Sequence, residues 1–144
     1  MKRREMLHAL GSAVLGWPLA GRLAAAEQKE PAKLLFFSRS VLFEHPVVRR
    51  QGDELSLGEK ALIEMARRID CEVECTKDGR VFDRDLDGYA AVVSYTCGRP
   101  ADLMKPDSPD RSPPLSESGW KNLDAAVRGG KPFVAIHPGA WLLP

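Results

Sequence analysis

The chain has 144 residues, 28% of them charged, and a formal net charge of only +1. This length fits one domain and not two. Basic residues form no face and are not interleaved with aromatic ones, which excludes a typical nucleic-acid-binding protein. The three cysteines are odd in number, and Cys71 and Cys75 are separated by ~13 Å of predicted strand, too far for a disulfide. We therefore expect three free thiols.

Residues 1–26 have the organisation of an export signal. Lys2-Arg3-Arg4 is basic, Met6–Ala20 is moderately apolar, and Ala24–Ala26 supplies small residues for cleavage. The adjacent arginines resemble a twin-arginine signal, and the apolar run is shorter than the ~20 residues of a membrane-spanning helix. We predict a periplasmic or extracellular protein without stable membrane insertion after cleavage. An uncleaved membrane anchor is the alternative.

A short polar linker, residues 27–32, precedes the first element of the domain. Residues 33–38 form a continuous apolar run, which is typical of a strand covered on both faces. A long loop, residues 39–55, separates it from Ser56 and Glu59, whose spacing is that of a capping box at a helix start. The helix that follows has an apolar stripe at helical spacing, and we expect its members to face the core: Leu62, Met65, Ala66 and Ile69.

The middle of the chain alternates strands and connections. Residues 71–76 alternate apolar and charged side chains, which predicts an edge strand exposed on one face. A turn at 77–80 and a brief helical connection at 82–87 lead to a second buried strand at 89–96. The Pro-, Asp- and Ser-rich segment 99–114 is predicted to be a loop, and loops of this length are usually functional or disordered.

The second clear helix is predicted at 117–128. We expect an inward face of Trp120, Leu123, Ala126 and Val127, and a stop at Gly129-Gly130. Residues 131–137 then predict a buried parallel strand that ends at His137 and a tight Pro-Gly turn. The order β-α-β-β-α-β predicts an α/β fold with a mostly parallel sheet. The chain stops at Pro144, before a helix can follow this turn, so we expect a partial domain.

These segments in combination resemble the ThuA-like (trehalose-utilisation) family over residues 33–141. The resemblance lies in the first apolar strand, Phe43-Glu44-His45, Thr76-Lys77-Asp78-Gly79 and Phe133–His137. It implies a flavodoxin-like, three-layer α/β/α architecture similar to that of class I glutamine amidotransferases. Residues 33–144 would be the N-terminal portion of such a domain, with the sheet incomplete at its C-terminal end. The family also implies a carbohydrate ligand, trehalose or a related sugar.

In a flavodoxin-like sheet, ligands bind where the strand order reverses, outside the carboxyl ends of the strands. We therefore predict a polar site there with His137 and His45 as catalytic residues. His137 would be the general acid or base, because imidazole changes its charge near neutral pH, and His45 would orient substrate hydroxyls together with Thr96. The predicted substrate-binding residues come from the same strand ends and loops: Phe43, Glu44, Thr96, Cys97 and Gly139.

Several alternatives stay open from the sequence. The related amidotransferases place a cysteine where His137 stands, so cysteine-dependent glutamine hydrolysis is argued against. Cys97 could instead act as a nucleophile with His137 as its base. No cofactor is predicted, although His45 and His137 could bind a divalent metal with a third ligand. The chain could also be a non-catalytic carbohydrate-binding module or a non-functional fragment of a larger protein.

Overall fold

A computed structural model of the chain describes residues 30–143. The predicted export signal, residues 1–26, and the beginning of the linker lie outside the described residues. Within the described range, the structure contains no helix that is both long enough and apolar enough to cross a membrane.

The core of the fold is a four-stranded sheet in which every pairing is parallel. Its strands are β1 (Ala32–Phe37), β2 (Cys71–Thr76), β3 (Ala91–Ser94) and β4 (Phe133–Ala135). They lie in the order β2-β1-β3-β4. This is the strand order of flavodoxin-like α/β proteins, so the predicted fold class is confirmed. The edge position of β2 is confirmed as well.

Helical segments connect the strands. The α-helices are α1 (Leu57–Arg67), α2 (Pro100–Leu103) and α3 (Glu117–Arg128), and 3₁₀ helices span Pro46–Val48, Gly79–Asp83 and His137–Leu142. The bounds of α3 are those predicted. Two connections differ from the prediction. The short α2 forms inside the predicted loop, and the helical turn after β2 begins at Gly79 because the Asp78 carboxylate accepts a hydrogen bond from the Arg80 amide.

Successive side chains of a strand point to opposite faces of the sheet, and β1 buries both. Phe37 packs on one face against Phe82, with ring centroids 4.8 Å apart and nearly perpendicular. That face is covered by α3 and the 3₁₀ helix at 79–83, and it includes the buried Leu123. Phe36 packs on the other face with Val48 and Leu62, under α1. The sheet therefore lies between two helical layers.

The apolar stripe predicted for α1 is wrong for two of its four residues. Met65 and Ile69 are 56% and 74% exposed, whereas Ala66 is buried and Leu62 half-buried. The buried row is centred on Glu59 and Ala66, roughly 60° around the helix from the predicted stripe at 3.6 residues per turn. The carboxylate of Glu59 causes this rotation, because it must reach the buried ion pair described below.

The last strand is not buried as predicted. Val134 is 50% exposed and Ile136, just after the strand, is 38% exposed. Among the described residues, β4 pairs with β3 alone. The helix on this face of the sheet, α1, packs against β2 at the other edge of the sheet. The predicted Pro-Gly turn is itself part of the 3₁₀ helix 137–142, which buries Leu142 completely.

All three cysteines are free, as predicted. Cys71 and Cys97 are buried, and Cys75 is half-buried under α1. Burial raises the pKa of the Cys75 thiol to about 11, and the nearby Glu59 carboxylate adds to the effect. Since the thiolate is the reactive form, Cys75 is an inert core residue.

A buried ion pair fixes the start of α1. Glu59 has no exposed surface, and its carboxylate accepts from Arg50 Nε at 3.0 Å and from the Ser56 amide at 2.7 Å. Ser56 Oγ in turn accepts from the Glu59 amide, which completes the predicted capping box. Burial alone would raise the Glu59 pKa, but the hydrogen bonds from Arg50 and Ser56 outweigh it and hold this pKa below its ordinary value.

Substituting Glu59→Ala is expected to destabilise the protein by ~3 kcal/mol or more at pH 7, because it leaves the Arg50 charge partly buried without its partner. Glu64→Ala, on the exposed side of the same helix, is the matched control, with a change within about 0.5 kcal/mol. Urea unfolding measures both. Equal effects of the two alanine variants would contradict this prediction.

The contribution of Glu59 to stability should depend on pH. A carboxylate with a lowered pKa stabilises the fold above its unfolded-state pKa. The difference in free energy of unfolding between wild type and Glu59→Gln should therefore shrink as the pH falls below the ordinary glutamate pKa of 4.5.

Candidate functional site

The strand order places three chain segments at one edge of the sheet. β1 lies between β2 and β3, so the connections leaving β1 and β3 run to opposite sides of the sheet. The carboxyl ends of β1, β3 and β4 therefore lie side by side at the edge of the sheet where α/β proteins of this type bind ligands. The loop after β1, residues 38–45, meets the ends of β3 and β4 there.

The two predicted catalytic histidines come together at this edge. The His45 and His137 ring centroids are 4.5 Å apart with an angle of 51° between the rings. Tyr95, which follows β3, lies 5.7 Å from His45 and 6.2 Å from His137. Phe43 packs edge-on against His45 at 4.8 Å. We call these four residues the imidazole cluster.

The imidazole cluster is open to solvent. His137 is exposed, His45 and Tyr95 are half-buried, and Phe43 is 54% exposed. A ligand can thus reach two imidazoles, a phenol and an aromatic face together. In a pair of imidazoles one ring can accept a proton while the other donates one. The arrangement suits acid–base chemistry or recognition of a polar molecule.

The backbone at His137 has an unusual conformation. Its φ of 51° lies in the left-handed region, which costs a residue with a Cβ roughly 1–2 kcal/mol relative to the right-handed region. Ile136 before it is extended, with φ of −110°. Strain of this kind often marks functional sites. A glycine would relieve it, yet the chain has an imidazole there.

The turn after β4 is locked onto the end of β3. The Ile136 amide donates to the Ser94 carbonyl at 2.8 Å, and the Gly139 amide donates back to the Ile136 carbonyl at 3.0 Å. A Cβ on Gly139 would lie 2.2 Å from the Ser94 carbonyl oxygen. Only glycine allows this approach. The contact sets where His137 stands relative to Tyr95.

The predicted substrate-binding residues are placed in different environments. Phe43 belongs to the imidazole cluster. Thr96 is fully buried, with its hydroxyl 3.3 Å from that of Ser94, and Cys97 is buried beside the loop after β1. Gly139 is buried against β3. Glu44 is buried and directed away from the imidazoles, into an ionic network.

That network surrounds Lys77, the residue directly after β2. Lys77 Nζ donates to Glu44 Oε1 at 3.0 Å, to Asp110 Oδ2 at 3.3 Å and to the Ser38 carbonyl at 3.2 Å. Arg49 Nε donates to the second Glu44 oxygen at 3.1 Å. Lys77, Glu44 and Asp110 side chains are 8%, 8% and 6% exposed. We call Glu44, Arg49, Lys77 and Asp110 the Lys77 network.

Asp110 is held in the charged form. Burial alone would raise its pKa, but hydrogen bonds from Ser112 and Ser108 and the charge of Lys77 outweigh it and keep the pKa below its ordinary value. The network borders a cavity of about 890 Å³ beside the carboxyl end of β2. Glu44 lines this cavity, whereas the four residues of the imidazole cluster do not.

Tyr95 was not among the predicted catalytic or substrate-binding residues, and the Lys77 network was not predicted. Tyr95 carried a signal, since it lies near the carboxyl end of the strand predicted at 89–96. Lys77 belongs to one of the segments that carry the family resemblance, but nothing in the sequence indicated its pairing with Glu44 and Asp110. Buried charges far apart in sequence have no periodic pattern by which they can be found.

The imidazoles of His45 and His137 are the groups at this edge that could bind a metal ion, together with ligands from water or substrate. Among residues 30–143, however, no three side chains of His, Cys, Asp or Glu come together as a metal-binding group.

Comparisons of the chain with protein-family models, with curated proteins and with solved structures found no match.

The strain at His137 has a measurable consequence. His137→Gly should be more stable than His137→Ala by about 1 kcal/mol, because glycine adopts the left-handed region without the Cβ penalty. At the neighbouring Ile136, where φ is −110°, the order of the matched pair should reverse, with Ile136→Gly the less stable. Urea unfolding of the four variants measures the difference. If the alanine variant is the more stable one at both positions, His137 is not strained.

Gly139→Ala is expected to destabilise the protein by ~1–3 kcal/mol, because the added methyl group overlaps the Ser94 carbonyl. It should also shift the NMR signals of the His137 ring, since the turn must move away from β3. Gly88→Ala is the control, because a Cβ there meets nothing within 4 Å. If Gly139→Ala unfolds at the same temperature as Gly88→Ala, the close approach does not exist in solution.

Proposed function

We propose that this chain binds a polar small molecule, a carbohydrate in the first instance, and acts on it by acid–base chemistry at the imidazole cluster. The observation that carries the proposal is the 4.5 Å approach of the His45 and His137 rings at the carboxyl ends of the strands, where the strand order reverses. A strained backbone at His137 supports it, because strain is retained where it serves a function.

The chemistry assigns complementary roles to the two imidazoles. His137 is the more exposed ring and acts as the general acid or base on a substrate hydroxyl or on a carbon beside a carbonyl. His45 takes the complementary proton-transfer step or orients the substrate, and the Tyr95 hydroxyl is a further hydrogen-bonding group. Isomerisation, hydrolysis and proton abstraction all fit such a site.

The sugar class and the export of the protein rest on the resemblance to the ThuA-like family and on the basic, apolar and small-residue segments of residues 1–26. Exposed aromatic faces at the site agree with a sugar ligand, since sugar rings pack on aromatic side chains. Export would place the protein in the periplasm or outside the cell.

A non-catalytic carbohydrate-binding module is the second candidate. Phe43, 54% exposed and packed edge-on against His45, favours it. Such a surface binds a sugar ring without requiring proton transfer. The two candidates differ in the effect of removing an imidazole: a binding module loses affinity, whereas an enzyme loses turnover.

Titration of the protein with a panel of trehalose, related disaccharides and monosaccharides, followed by NMR, is expected to shift the His45 and His137 ring signals. For sugars that bind, NMR of the sugar itself detects turnover. His137→Gln should lower turnover by about 10²-fold or more, the usual contribution of a general acid or base, while affinity changes little. Lys121→Gln, exposed on α3, is the control and should change neither.

Each result has a defined meaning. Binding without turnover in the wild type would support the binding module. Turnover unchanged in His137→Gln would remove His137 from the chemistry. If no sugar in the panel perturbs either ring, the carbohydrate assignment is wrong.

A further inference from the structure

The Lys77 network joins three segments of chain that are distant in sequence. Lys77 Nζ has three donors, and each has an acceptor: the Ser38 carbonyl just after β1, Glu44 in the loop after β1, and Asp110 in the loop after β3. The lysine is thus fully occupied within the protein. It is not a free cation waiting for an anionic ligand.

Glu44 is fixed from both sides. Lys77 holds one carboxylate oxygen at 3.0 Å, and Arg49 holds the other at 3.1 Å while also donating to the Glu44 main-chain carbonyl at 3.1 Å. The next residue is His45, whose carbonyl accepts from the Val48 amide and begins the 3₁₀ helix 46–48. The backbone that bears the His45 imidazole is therefore held on its N-terminal side by Glu44 and on its C-terminal side by this helix.

A buried ion pair by itself adds little to the stability of a protein. The desolvation of two charges offsets most of their attraction, and apolar residues of similar volume often stabilise a protein more. What such a pair supplies is a defined geometry, because a buried charge leaves its partner only at a large cost. The first part of the loop after β1 is anchored separately, because Arg39 is fully buried and the Val41 amide donates to the Cys97 carbonyl. The side chains of Leu42 and Phe43 are 59% and 54% exposed, so Glu44 is the buried side chain next to His45.

We propose that Lys77 is a positioning residue that, through Glu44, holds His45 against His137 and Tyr95. The catalytic meaning of this inference rests on the proposed function, since the alignment of the imidazoles matters only if they act on a ligand. The geometric claim can be tested without any substrate. Misplacement of a catalytic group by about 1 Å can cost roughly 10²-fold in rate, so the effect on an enzyme would be large.

The test uses the full chain and the NMR signals of the histidine rings. In the wild type, the His45 and His137 ring protons should show mutual nuclear Overhauser effects, and the His45 signals should be displaced by the ring currents of Phe43 and Tyr95. In Lys77→Met the mutual effects should be lost and the His45 signals should move towards those of a free histidine. The effects between Phe37 and Phe82, in the core, should persist.

Lys33→Met is the matched control. Lys33 is also a lysine paired with a glutamate, Glu74, at 2.7 Å, but it is 41% exposed and lies at the opposite end of β1. This variant should leave the His45 and His137 signals unchanged. Retention of the mutual effects in Lys77→Met at wild-type intensity would overturn the inference.

Glu44→Gln decides the question if Lys77→Met does not fold. This variant keeps the volume of the side chain and removes the charge that Lys77 holds. The nuclear Overhauser effects between the His45 and His137 ring protons should therefore weaken at least twofold. Unchanged effects in a folded Glu44→Gln protein would overturn the inference as well. Neither result depends on sugar binding, so a wild-type protein that binds no sugar would contradict the proposed function alone.

Discussion

The central strand β1 forms parallel hydrogen bonds with β2 along one edge and with β3 along the other. Because the pairing is parallel on both sides, the carboxyl ends of all the strands lie at the same end of the sheet. The loop after β1 therefore lies between the ends of β2 and β3. Glu44 reaches β2 through Lys77, while His45 reaches the segments after β3 and β4. The loop after β1 is thereby held on the β2 side by Glu44, and it places the His45 imidazole on the β3 side.

Two energetic costs occur near the imidazole cluster, although a buried carboxylate at Glu59 and left-handed residues at Asp70 and Arg111 occur elsewhere. Buried charges in the Lys77 network must be desolvated, and His137 adopts a left-handed backbone that glycine would adopt more easily. The apolar core elsewhere, such as the Phe37–Phe82 contact, has neither cost. Local rules are violated mainly where a structure serves a purpose other than stability. These costs support the function proposed for this edge of the sheet.

The elements predicted best were those with local signals. The Ser56–Glu59 capping box begins α1 and Gly129 ends α3, and both are read from neighbouring residues. Predictions failed where burial depends on distant partners. The stripe of α1 is rotated because Glu59 meets Arg50, and the burial of β4 was overestimated because an apolar sequence does not show which layer covers it. Met65 and Ile69 are exposed to solvent as a result.

The sequence by itself determined the parallel α/β order, the capped helices and the positions of His45 and His137 at strand ends, since apolar periodicity and capping chemistry act over a few residues. Only the tertiary structure decided that the two imidazoles meet, that Tyr95 joins them and that Glu44 faces Lys77. Those contacts connect residues far apart in the chain. Their geometry follows from strand register, a close approach at Gly139 and buried charge pairing, none of which a local pattern records.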